Sequence, residues 1–262
     1  MNKRHLPSAL ALCRGLASVG GALGGITAAG ICHLTGEMYL AILAGALLIH
    51  LAVLPLLFLP PDPALRFNTY SLFNRNKRAN LWPTLTGSFF FCALGTSLVS
   101  PYLNLLLEAR GLPLSLISIS FSAWQLTAIV AWPITAALRR SNKPLSFSLA
   151  GLSLSCYLAT RPQGQITWWL CRLLGQLYHC LSLNFYYSIF ASEERAPGTR
   201  LAFLGLLNTC GAIIGSRWGS KLLQQSSRQL LLTAAGCIGI AFLLATAGQG
   251  NYKSNRPQIP CS

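Results

Sequence analysis

Apolar runs of about 17 to 25 residues, the length that carries a helix across a hydrocarbon core, succeed one another along this chain, with the charges gathered between them. Hydrophobic residues make up 53% of the 262 and charged residues only 10%, whereas a soluble domain carries about a quarter charged. The bilayer is the expected solvent. The expected class is an all-α membrane protein of about eight transmembrane helices, over 14–34, 39–60, 84–107, 114–138, 144–160, 165–190, 201–223 and 229–248.

The net charge of +15 points to nucleic acid in a soluble domain, but here its placement points to topology. Fourteen Lys and Arg fall at the N-terminus, in alternate loops and in the tail, from Lys3 and Arg4 through Arg66, Arg75, Lys77, Arg78, Arg139, Arg140 and Arg195 to Lys253 and Arg256. Five fall on the other side: Arg110, Arg161, Arg217, Lys221 and Arg228. Cytoplasmic loops carry the basic excess, so a multi-pass protein of the cell membrane with both termini cytoplasmic is expected. Its partners are the lipid bilayer and a small polar solute, with a coupling ion as a further candidate and no nucleic acid.

The nine cysteines mostly sit within or at the ends of apolar runs, where a free thiol packs as a small apolar group. None has the CxxC or Cys/His spacing of a metal site. Neither a cofactor nor a metal is expected. Residues 1–12 are too short, and the apolar run after them too long, for a cleaved signal peptide.

A two-helix unit occurs twice. Arg14 opens a Gly-rich apolar helix (Gly15, Gly20, Gly21, Gly24, Gly25), and Arg200 opens another (Gly205, Gly211, Gly215, Gly219), each followed by a second apolar helix. Gly211, Gly215 and Gly219, or Gly21 and Gly25, put small residues every four positions on one face, which lets helices approach closely. Internal repeats mark secondary transporters. The expected organisation is a two-helix remnant of an N-terminal half at 1–60, a cytoplasmic linker at 61–83, a six-helix C-terminal half at 84–248 and a cytoplasmic tail at 249–262.

In this arrangement the chain resembles the C-terminal two-thirds of a major facilitator superfamily transporter. The segment Pro133 to Lys143 is similar to the superfamily's cytoplasmic motif: Leu138, Arg140 and Lys143 fit, while Ala136 replaces a Gly and Arg139 stands where Asp is usual. Gln176-Leu-Tyr-His179 is similar to a segment of the tenth helix in the lactose-permease-like branch, with Ser182 in place of that branch's carboxylate. The resemblance implies a partial major-facilitator fold, two helices of a first half plus a six-helix second half, and alternating access with a site between the halves.

Ionisable groups at membrane depth are costly and mark functional sites. Helical spacing puts Arg172, Gln176, His179 and Tyr187 along one face, with Tyr186 beside it. Such a face can line a wet path and bind hydroxyls or an anion; alternatively, Arg172 snorkels to the interface and His179 bonds a neighbouring helix. Gln125 with Trp124, near Ser118 and Ser122, and Asn104 with Ser97 and Ser100 around the helix-bending Pro101, are further candidates for binding a solute. Hydroxyls in membrane helices also bond their own backbone. Asn208 is a weaker case, and His50 reads as a packing residue.

The five acids, Glu37, Asp62, Glu108, Glu193 and Glu194, fall in loops or at helix ends, so no intramembrane carboxylate is available to carry a proton. No nucleophile–base grouping points to an enzyme. The expectation is membrane transport of a small polar solute by an N-terminally truncated carrier, impaired on its own. The alternative is a non-transporting membrane scaffold or a decayed gene product.

Overall fold

The computed structural model describes residues 81–138, 143–161, 164–191 and 197–254, with scattered helical positions between 19 and 47. Among the described residues all regular structure is helical: α1 (Leu81–Val99), a 3-10 turn (Ser100–Tyr102), α2 (Leu103–Glu108), α3 (Leu114–Leu138), α4 (Pro144–Leu158), α5 (Gln165–Ala191), α6 (Pro197–Gln225) and α7 (Ser227–Ser254). Gly21, Gly25, His50 and most of the expected linker lie outside the described residues.

The breaks follow local chemistry. Pro101 has no N–H to give the ladder, and the helix tightens there into the turn between α1 and α2. Past α2, Gly111 takes φ +77°, the left-handed conformation that glycine adopts without a Cβ clash. Its N–H bonds Glu108 O at 2.8 Å, and Leu112 N bonds Leu107 O at 3.3 Å, the paired bonds of a Schellman cap. The same loop is fastened to α5, because Gln165 Nε2 donates to Arg110 O at 2.6 Å and the Arg110 guanidinium lies 4.5 Å over the Trp168 ring. Burial there lowers the Arg110 pKa.

One expected helix end agrees with the structure and one lies short of it. The helix expected over 114–138 is observed as Leu114–Leu138, with Pro133 inside it. The expected tail begins as helix: α7 runs to Ser254, since Gln249, Asn251 and Lys253 are polar but not helix-breaking.

The packing has an internal exchange symmetry. If α1 to α4 form one trio, with α1 and α2 as its first member, α5 to α7 form the other. The first member of each trio packs on the second and third of its opposite: α1 on α6 and α7, α5 on α3 and α4. The two third members, α4 and α7, pack on each other. Glycines make the closest approaches. A Cβ at Gly211 would meet Leu94 N at 3.1 Å, one at Gly215 would meet Leu94 O at 2.8 Å, and one at Gly219 would clash with Leu98 O. The small face of α6 is therefore spent against α1. Gly20 and Gly24, in the earlier copy of the unit, have nothing within 4 Å of a built Cβ among the described residues.

Two apolar clusters are stacked along the bundle. One gathers Phe89, Leu149, Phe185, Tyr186 and Ile238; the other gathers Leu98, Leu107, Trp124, Trp168 and Leu230. Among the described residues three stretches are long and apolar enough to cross a membrane: Pro83–Glu108, Ile119–Leu138 and Ser227–Gly248. Pro144–Leu158 is apolar but shorter. At 27 and 29 residues, α5 and α6 have the length but also the polar residues, including Arg172, Gln176 and His179 in α5 and Asn208, Arg217 and Lys221 in α6.

Candidate functional site

The level where the two apolar clusters meet holds polar side chains. Arg172, Gln176 and His179, each half-buried on α5, face Gly95, Thr96 and Ser100 of α1 and its turn, with Cys156 of α4 between them. Glycine sets this closeness: a Cβ at Gly175 would come within 2.8 Å of Ser155 Oγ, and one at Gly151 within 2.6 Å of the Tyr178 ring. With α4 drawn that near, Arg172 Nη1 donates to Cys156 Sγ at 3.6 Å. Gln176 Nε2 donates to Cys180 Sγ one turn along at 3.9 Å.

These are weak partners for strong donors. Sulfur is a poor acceptor, and Arg172 Nε is buried without a hydrogen bond. Glu108 is the one carboxylate among the described residues, and it is exposed at the far end of α2. Among the described residues the guanidinium therefore meets no counter-ion. The space enclosed is about 20 Å³, enough for about one water. The chemistry on offer is hydrogen-bond donation with a positive charge, suited to an anion, a hydroxyl or water.

The expected stripe is thus only partly brought together. Tyr187, two turns beyond His179, is apart from the pocket and packs edge-on to Phe89 at 6.4 Å. Tyr186 is fully buried and hydrogen-bonded to Ser88 at 2.5 Å. Trp124 is buried too, edge-on to Phe121 at 4.9 Å, and its indole N–H has no acceptor among the described residues. Ser122 is buried beside it. Gln125 and Asn104 are exposed, as is Asn208. Ser97 lies against Gly215.

Thr96 and Cys156 are the pocket members that the sequence did not single out for polar chemistry. Thr96 Oγ1 donates to its own helix, to Cys92 O at 3.0 Å and Ala93 O at 3.1 Å, which leaves its lone pairs for the pocket. Its position four residues before Ser100, on one helix face, was the available signal. Among the described residues no group of three His, Cys, Asp or Glu side chains is placed to hold a metal. No family model, curated protein or solved structure matches the chain.

Proposed function

We propose that this chain is a membrane transport protein of the major facilitator type, whose helices from Leu81 onward form one six-helix wall of a path for a small polar solute. The observation that carries the reading is the pocket of Arg172, Gln176 and His179 against Thr96 and Ser100. Polar and charged groups at membrane depth persist where they face a cavity or a partner. The exchange symmetry of the two helix trios supports it, since three-plus-three repeats recur in such carriers. So do the exposed Gln125 and Asn208, amide side chains that hydrocarbon disfavours and that a second wall or water would satisfy. In this reading all six helices cross the cell membrane, Arg110 and Arg161 lie outside, and α5 carries the solute contacts.

Cysteine labelling tests it. In a background without native cysteines, Thr96→Cys and Gln176→Cys in liposome-reconstituted protein should react with a membrane-impermeant thiosulfonate, as residues on a wet path do. No reaction from either face of the membrane would remove the path. A second reading, a non-transporting membrane scaffold, draws on the pocket's size, which admits about one water. It predicts that neither cysteine reacts while the protein remains folded.

A further inference from the structure

On the side of the bundle away from α1, helices α4 and α7 leave an open groove of about 420 Å³, lined by Ser153, Leu154, Tyr157, Leu232, Gly236 and Phe242 among others. Its walls are antiparallel. Thr246 Oγ1 meets Ser146 Oγ at 3.2 Å near one end, and Ser153 Oγ donates to Ala235 O at 2.9 Å farther along. Beyond that crossing, Arg161 follows Ser153 by eight residues and Arg228 precedes Ala235 by seven. At 1.5 Å per residue both lie roughly 10–12 Å past it, at the same end of the groove.

Both arginines are exposed. Arg161 is held over the groove's rim by Tyr157: Nη2 donates to the phenol oxygen at 2.8 Å, and the guanidinium sits 5.3 Å over the ring. Arg228 stands one helical turn before the groove residue Leu232. A slot of apolar and small side chains on α7, a span apolar enough for the bilayer, thus ends between two cations at the level where helices leave the membrane.

We propose that this groove binds one anionic glycerophospholipid, an acyl chain lying between α4 and α7 and the headgroup phosphate between Arg161 and Arg228. A water-soluble ligand would not fill an apolar slot that faces lipid, and a chain without a charged head would leave the two guanidiniums without a use. Guanidinium matches phosphate oxygens in pairs. The inference rests on placement in a bilayer and is independent of transport.

The test uses the full chain, purified in a neutral detergent and titrated with phosphatidylglycerol or phosphatidylcholine of identical acyl chains, with bound lipid counted by native mass spectrometry. Wild type should retain phosphatidylglycerol in preference to phosphatidylcholine. Arg161→Gln and Arg228→Gln should each weaken phosphatidylglycerol about fivefold, the worth of one basic residue near an anionic surface, and weaken phosphatidylcholine less, because its choline already balances the phosphate. Gly239→Leu, whose Cβ has only Ser153 Oγ near it at 3.7 Å, should displace both lipids with the arginines intact. Gly236→Leu, with nothing within 4 Å of its Cβ, repeats that arm if the first variant loses helix content. Equal retention of the two lipids by wild type, unchanged binding in the arginine variants, or undiminished lipid in both leucine variants overturns the proposal. So does a cross-linked dimer through Gly236→Cys, which would give the groove to a second copy.

Discussion

Tyr186 and Ser88 meet at 2.5 Å in the interior of the bundle, linking α5 to α1, and Ser88 Oγ passes the link to α7 by donating to Ala241 O at 2.6 Å. With its proton committed to the carbonyl, Ser88 accepts from the Tyr186 hydroxyl. Both side chains are fully buried. Three helices are thus joined by a hydroxyl chain in which each group depends on the next.

The dependence has a direction. Ser88→Ala strands the buried Tyr186 hydroxyl and costs about 1–3 kcal/mol, the penalty of an unsatisfied buried polar group. Tyr186→Phe removes the donor but leaves Ser88 bonded to Ala241 O, and costs about 1 kcal/mol or less. Denaturant unfolding in micelles should rank Ser88→Ala below Tyr186→Phe; the reverse order would show that the chain is not wired this way.

Alanine at the glycines of α6 gives a graded series. At Gly215 and Gly219 the new Cβ runs into the backbone of Leu94 and Leu98, which cannot swing aside, so each substitution should cost about 1–3 kcal/mol by overpacking. At Gly205, with nothing within 4 Å, alanine should be neutral or stabilising because it favours the helix. Melting temperatures of the three variants decide the matter. Equal values would mean that α6 does not press on α1.

Arg172→Leu separates fold from function. Among the described residues the guanidinium has only a thiol for a partner, and its Nε has none. Leucine relieves that desolvation, so stability should hold or rise. Reaction of Gln176→Cys with the impermeant reagent should meanwhile fall, because an apolar wall admits less water. A large loss of stability would make Arg172 a structural anchor.

Reporter fusions after Arg110 and after Lys143 bracket α3 and should report opposite sides of the membrane, with Arg110 outside. A fusion after Arg161 should agree with Arg110. If Arg110 and Lys143 share a side, α3 does not cross.

Helix positions were legible where hydropathy and helix coincide: 165–190 and 114–138 stand against the observed Gln165–Ala191 and Leu114–Leu138. They were less legible where helix outruns apolarity, as past Gly248 in α7, because backbone bonding needs no hydrophobic side chain. The Pro101 bend could be read from one residue, and the packing role of Gly211, Gly215 and Gly219 from their spacing. The site was legible along a single helix and not between helices. Arg172, Gln176 and His179 share a face by periodicity alone, whereas the burial of Trp124, the separation of Tyr187 and the arrival of Cys156 depend on neighbours that no spacing within α5 or α3 encodes.

The interruption at Ser100–Tyr102 has a mechanical meaning. Tyr102 OH donates to Ser216 O at 2.5 Å, and a Cβ at Gly219 would lie 2.8 Å from the Tyr102 ring. The joint is therefore pinned to α6, with α1 on one side of it and α2 on the other. A tilt of α2 would pivot at that pin and be felt at the Gly111 cap and the start of α3, leaving α1 still beneath it. The pinned turn thus begins at Ser100, itself a wall of the polar pocket.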